Sequence, residues 1–487
     1  MSGLSSPPLG ALMPASPHAT VVSLPTLADV ESYERKEARV WQHIHGGYPR
    51  FVRHHLVAEA AKRAAEKWGR TGELFPLVSR ASAEKIIAWS EAKNATINQV
   101  EDWVLVSTEK GDVAERFAKW VQHTGVLISS RQAEAFLQGK KIDLRQGEEA
   151  RQKIRQTCST YFEGVPAQDI VLTLSGMNAV AAALEAVNSV QLPRGKNVWI
   201  QLGWLYVDST RILEKSKTIR HEFISDITDL AQVEKLLARG DVAGVLTEVP
   251  NNPQLEMADI PALRKLCDHY GAKLILDPSS VGLAILNPLP YADLVCCSLT
   301  KYAASEGDVM AGLCVVNPQR ENATEMLAVV KKESEPLHAL DAMVLVKQIT
   351  QLEDVSLRLS QQAKELAQRL AQHPAVAQVR TADTGRTAKN FRALQRLSAG
   401  AGSLITIELT KDMRDVYDRL AVVKGPSFGL VFTIVSPFLW LAHFTEVTSP
   451  EGRASIRAAG LDPDLLRISV GLEPIEEIWG TFTQALK

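Results

Sequence analysis

The pentapeptide Ser298-Leu299-Thr300-Lys301-Tyr302 carries the clearest chemical signal in the chain. An apolar run, 292–297, broken only by Asp293, precedes it, and a small acidic turn, 303–308, follows. This pattern sets a lysine at the end of a buried strand between two hydroxyls. Desolvation lowers a lysine pKa and frees its lone pair to attack an aldehyde. Ser298 and Thr300 can each donate to phosphate oxygens. Alone, such a pattern more often marks a strand end with a snorkelling lysine.

Two upstream segments strengthen the chemical interpretation. Leu274-Ile275-Leu276-Asp277 is an apolar strand ending in a carboxylate. A carboxylate there can hold a protonated ring nitrogen and keep the ring electron-withdrawing; equally, Asp-Pro-Ser-Ser is a good turn. Further upstream, 172–174 leads into Ser175-Gly176-Met177-Asn178 and then an Ala-rich helical run. Strand, small residues, then helix start is an anion site, because free backbone N–H groups and the helix dipole face the ligand.

In order along the chain stand Ser175-Gly176-Met177, Tyr206, Glu248-Val249-Pro250-Asn251-Asn252-Pro253, Asp277, Ser298 to Tyr302, and Arg467-Ile468-Ser469-Val470-Gly471-Leu472-Glu473. This series resembles the Cys/Met-metabolism pyridoxal-phosphate enzymes, the cystathionine γ-synthase-like group, from about residue 165 to the C-terminus. Gly46-Gly47-Tyr48-Pro49-Arg50-Phe51 is similar to that family's Tyr-x-Arg motif, and the surrounding segment looks like a longer, fungal-type branch.

The resemblance implies pyridoxal 5'-phosphate as cofactor. It implies that Lys301 forms the Schiff base and moves protons, and that Asp277 holds the ring nitrogen. Ser175, Gly176, Met177, Ser298 and Thr300 would hold the phosphate, Tyr206 would stack on the ring, and Asn252 would reach its phenolic oxygen. Arg467 would clamp the substrate carboxylate, with Ser427 nearby. Tyr48 and Arg50 would reach the phosphate of a neighbouring subunit, making the enzyme a dimer or a dimer of dimers. Arg211 matches an arginine that faces the distal carboxylate of a succinylated homoserine, or else is a solvated helix residue.

The chain also departs from the family pattern. Tyr-Gly-Gly-Thr is replaced by Tyr206-Val207-Asp208-Ser209-Thr210, and valine cannot take positive φ cheaply. Pro426 stands where members that handle cysteine often carry Glu. The first expectation is γ-replacement on an O-acylated homoserine by a thiol, giving cystathionine. The alternatives are β- or γ-elimination, or a non-thiol nucleophile. A regulatory pseudoenzyme is disfavoured by the intact Lys301, Asp277 and Arg467.

The 487 residues call for two or three domains. Apolar content of 46%, charge of 23% and a net charge of −2 are those of an ordinary globular protein, with no signature of nucleic-acid binding or a membrane span. Residues 1–30 contain no Lys or Arg, so neither a secretory nor a mitochondrial leader is expected. The five cysteines suggest buried, reduced thiols and a cytoplasmic location. His43, His45, His54 and His55 lack carboxylate or Cys partners at ligand spacing, so no metal is expected.

The expected organisation is an N-terminal arm (1–55) and an inserted or rebuilt α/β segment (56–150), then a large cofactor domain (151–333) and a C-terminal α+β domain (334–487). In the insert, strands are expected near 74–78, 103–107 and 125–129, with helices at 81–93 and 112–122. Strand–helix alternation from residue 151 argues an α/β fold with a mostly parallel sheet. The resemblance makes that the seven-stranded, fold type I transferase architecture, like that of aspartate aminotransferase. Ligands of such sheets bind outside the carboxyl ends of the strands.

Overall fold

The computed structural model describes residues 4–48 and 51–487. A seven-stranded sheet forms its centre. In spatial order the strands are Val171–Thr173, Gly312–Val316, Leu294–Ser298, Lys273–Asp277, Val242–Glu248, Val198–Leu202 and Arg220–Ile224. Only Gly312–Val316 runs against its neighbours; the others are parallel. Val242–Glu248 and Val198–Leu202 are buried along their whole length, as strands covered on both faces must be. One such cover is helix Gly176–Gln191, whose small residues let it lie close to the sheet.

Helix Leu144–Ser159 packs into the large-domain core through Ala150, Ile154 and Cys158. The expected boundary at 150 falls inside this helix, and ahead of it stands the unit expected as an insert. That unit is a three-stranded antiparallel sheet, Glu73–Leu77, Trp103–Thr108 and Thr96–Val100, flanked by helices His55–Lys67, Arg80–Ser90, Asp112–Thr124 and Ser130–Leu137. The expected strand at 125–129 is reduced to one bridge, Leu77 to Leu127. Ser129 ends it by capping the next helix, accepting from the Gln132 N–H at 3.2 Å. Thr96–Val100 escapes a hydrophobicity reading because its residues are polar and only half-buried.

Helices Ala339–Gln348 and Leu352–Ala371 lead to the C-terminal domain, a five-stranded sheet in the order Val376–Arg380, Leu404–Leu409, Leu466–Ser469, Ile434–Ser436, Val423–Lys424. The five cysteines are buried thiols, with Cys296 and Cys314 facing each other across neighbouring strands at 3.9 Å. Among the described residues, no helix is long and apolar enough to cross a membrane.

The N-terminal arm folds back on its own chain. Val22, Leu24, Leu27 and Val30 join Ile405, Tyr417, Ile468 and Phe482 in one apolar cluster. The Lys424 side chain is fully buried, and its amine donates to the carbonyls of Pro25, Tyr417 and Asp418 at 2.6, 2.7 and 3.1 Å. Removing it strands buried acceptors, at a cost of roughly 1–3 kcal/mol. Lys424→Met is therefore expected to lower the urea midpoint and to speed tryptic cleavage at Lys36 and Arg39. An unchanged midpoint and cleavage rate would mean that apolar contacts alone hold the arm.

Candidate active site

A cavity of about 120 Å³ opens at the carboxyl ends of the sheet strands. Asp277 and Glu248 are the last residues of adjacent parallel strands and are paired in register, so their side chains lie together on its floor. Ser298 ends the next strand, and Lys301 follows one turn later with 7% of its surface exposed. The Lys301 amine donates to Ser427 Oγ at 2.8 Å. It lies 4.5 Å from the centre of the Tyr48 ring and 4.9 Å from that of Phe428.

Burial raises both carboxyl pKa values. Asp277 is pushed up to about 6, opposed by donation from Ser279. Glu248 is driven well above the usual range by burial and by its Asp277 neighbour. Asp277 is therefore the member of the pair that ionises near neutrality, while Glu248 accepts the Tyr206 backbone N–H at 2.5 Å. Glu248 stands within a motif of the sequence to which no role was attached; its place at the end of the apolar run 242–248 was the available signal.

Helix Gly176–Gln191 points its N-terminus at the cavity. A Cβ on Gly176 would lie 2.7 Å from Ser298 Cβ, and one on Gly312 would lie 2.4 Å from the Ser175 carbonyl oxygen. Glycine is thus what lets the turn close on the strand end. Ser298 Oγ is buried with no hydrogen-bond partner among the described residues. A helix N-terminus beside an orphaned hydroxyl fits a phosphate.

Arg467 is buried between Phe428 and Phe438, 5.2 and 4.9 Å from their ring centres. It donates to the Ser427 carbonyl at 2.9 Å and reaches Asn252 Oδ1 at 3.5 Å; its Nε has no partner among the described residues. Burial pushes its pKa down to about 10. A buried guanidinium with donors to spare fits a carboxylate ligand.

Several expected site residues lie elsewhere. The Thr300 hydroxyl is turned away from the cavity, donating to the Ala311 carbonyl at 3.2 Å and accepting its N–H at 3.1 Å, which closes the turn before Lys301. The Ser175 hydroxyl caps the helix, accepting from the Asn178 N–H at 3.1 Å. Arg211 does not line the cavity; it pairs with Glu214 at 2.6 Å and approaches Glu446 at 4.0 Å on an exposed helix face. Tyr48 lies against the lysine of its own chain, where a neighbouring subunit's site had been expected, because the buried arm delivers it there. Arg50 lies outside the described residues. His54 caps helix His55–Lys67 and bonds the Pro17 carbonyl at 2.6 Å, which is structural work. Phe428 and Phe438 were not anticipated, since nothing in an apolar segment distinguishes a cavity wall from core.

Residues 144–487 match the model of the family described as Cys/Met metabolism PLP-dependent enzyme. The chain belongs to that family. It is a pyridoxal-phosphate-dependent enzyme, and the residues above fit that cofactor. Across 485 residues it is 37% identical to the L-2-amino-4-chloropent-4-enoate dechlorinase/desaturase of Streptantibioticus cattleyicolor, covering 97% of each chain. It is 30% identical to a cystathionine gamma-synthase of Neurospora crassa over 66% of this chain and 52% of that one. The fold matches cystathionine gamma synthase from Xanthomonas oryzae pv. oryzae with a TM-score of 0.61, at 24% identity over 71% of this chain and 88% of that one.

The Asp277 pKa has a consequence for stability. An acid whose folded pKa is raised stabilises the fold while protonated, and that contribution is lost as pH rises through the folded pKa. For Asp277 the window runs from about 4 to about 6, an effect on the order of 1–3 kcal/mol. With the cofactor removed, Asp277→Asn is expected to unfold at higher urea than wild type at pH 7.5, with the gap closing at pH 4. Equal midpoints at pH 7.5 would contradict the raised pKa.

Proposed function

We propose that this enzyme eliminates a small substituent, uncharged while bonded, from the γ-carbon of an L-amino acid, with a γ-chloro unsaturated amino acid as the leading substrate class. The carrying observation is the identity over 97% of both chains, inserted unit included, with a dechlorinase/desaturase. The cavity supports it. Its walls include Val180, Val207, Phe438 and Leu441, and among the described residues its only cations are Lys301 and Arg467. A succinyl ester, or cysteine as incoming thiol, brings a second carboxylate that needs another cation. Arg211, the expected candidate, is occupied at the surface. Pro426 in place of an acidic residue points the same way.

Pyridoxal phosphate, when bound, supplies an electron-withdrawing ring that acidifies the substrate Cα–H. Ser298 Oγ and the Gly176 and Met177 N–H groups would hold its phosphate, and ionised Asp277 would hold its ring nitrogen. Tyr206 and Asn252 would bound the ring. Arg467 would bind the substrate α-carboxylate. The Lys301 amine, desolvated between Tyr48 and Phe428, would take the Cα proton and then one from Cβ. The γ-substituent would then leave with its electron pair, and one of the two protons would return from the Lys301 amine to the substrate's carbon skeleton; net loss of HX adds one degree of unsaturation. The small apolar cavity limits water around the departing group.

Incubation with L-2-amino-4-chloropent-4-enoate should release chloride and give a product lighter by HCl, with or without cysteine. Cystathionine formed from O-succinyl- or O-acetyl-homoserine plus cysteine, with no chloride release from the chloro substrate, would establish replacement instead. Lys301→Ala is expected to lower kcat by about 10²–10⁴-fold. Arg467→Lys should raise KM about ten- to a hundredfold, since it loses the bidentate fork.

A further inference from the structure

The inserted unit touches the cofactor site at one place. Tyr206 immediately precedes helix Val207–Lys215, and Tyr206, Val207 and Ser209 line the cavity. Asp208 does not line it; its carboxylate turns away and is 1% exposed. A carboxylate so buried needs strong donors. Two of them come from the insert. His123 Nδ1 lies 2.8 Å from Asp208 Oδ1, and Gln122 Nε2 donates to the same oxygen at 3.3 Å. His123 is itself buried.

The pairing is favourable for a reason beyond contact. His123 sits in the last turn of helix Asp112–Thr124, and Asp208 in the first turn of helix Val207–Lys215. A donor at a helix C-terminus and a carboxylate at a helix N-terminus each complement the dipole of their own helix. Two residues on, the Gly125 carbonyl lies 3.5 Å from Ser175 Oγ, the cap of the helix whose N-terminus faces the cavity. Ser209 Oγ in turn contacts Met177 Sδ at 3.4 Å. Residues 122–125 thus lie behind both the Tyr206 wall and the Gly176–Met177 wall. Asp208 falls within the sequence that replaces the family's Tyr-Gly-Gly-Thr, so the altered loop and the insert meet at this bond.

We propose that His123 is a positioning residue for the cofactor site, acting through Asp208 to fix the first turn of helix Val207–Lys215 and with it the Tyr206 ring. This assigns the inserted unit a role within its own chain: it buttresses the altered loop that glycines form elsewhere in the family. The inference rests on cofactor binding, not on which reaction the enzyme performs.

The test titrates pyridoxal phosphate into cofactor-free protein and follows affinity and the induced visible circular dichroism, with a urea midpoint for each variant. His123→Ala should bind at least tenfold more weakly and lose most of the visible ellipticity. His123→Asn, whose amide places a donor near the Nδ1 position, should restore affinity to within threefold. His123→Gln, which places its donor further out, should not. Lys119→Ala, exposed on the same helix, should behave as wild type. Should His123→Ala fail to fold, the Asn and Gln variants decide the matter. Wild-type affinity and ellipticity in His123→Ala, or equal behaviour of the Asn and Gln variants, would overturn the proposal.

Discussion

Two carboxyl groups held side by side away from bulk water set the terms for everything around them. Asp277 and Glu248 end neighbouring parallel strands in register, so the sheet itself imposes their proximity. Neither can be moved without shifting a buried strand. Their mutual repulsion and desolvation favour protonation, and the fold bears that cost because the site needs one anion at a fixed place. Donation from Ser279 to Asp277 and burial of Glu248 separate the two, leaving Asp277 as the ionised member. A positive ring nitrogen held there would relieve the repulsion within the pair.

Around that floor, the walls come from parts of the chain far apart in sequence. Tyr48 and Phe51 arrive from the arm, Ser427, Phe438 and Arg467 from the C-terminal domain, and Tyr206 from the crossover after Val198–Leu202. Because the arm is buried in its own C-terminal core, the site closes only once both ends of the chain have packed together. The Ser427 hydroxyl accepts from the lysine, and its carbonyl accepts from the arginine. One residue therefore sets the spacing between the Lys301 amine and the Arg467 guanidinium.

Residues fixed by strand ends were legible in the sequence. Lys301, Asp277 and the Ser175–Met177 turn follow apolar runs whose length and β-branched character declare strands, and the carboxyl-end rule then brings them together. Residues whose placement depends on tertiary contact were not legible. Arg211 has the right spacing but faces Glu214 and Glu446, because a helix presents residues one turn apart to the same side. Thr300 has the right chemistry, yet the turn before the lysine needs its hydroxyl for the Ala311 backbone. Two strands of the three-stranded unit, Glu73–Leu77 and Trp103–Thr108, stood out, while the mostly polar edge strand Thr96–Val100 draws its order from pairing rather than from its own residues.

The same floor can serve replacement and elimination alike, so the distinction must lie in what the walls admit. A replacement enzyme has to bind two amino-acid-like partners, each with its own carboxylate, and desolvated carboxylates need cations. The described cavity has one guanidinium, already aligned by Ser427 and Asn252, and one amine, that of Lys301, which donates to Ser427. Its remaining walls are largely rings and aliphatic chains. Such a surface discriminates poorly among small apolar groups but strongly against a second charge, because the penalty for an unpaired buried ion far exceeds the gain from a few methylenes. The proposed selectivity for a small, neutral γ-substituent would draw on that apolar lining, whose described residues carry no cation beyond Lys301 and Arg467.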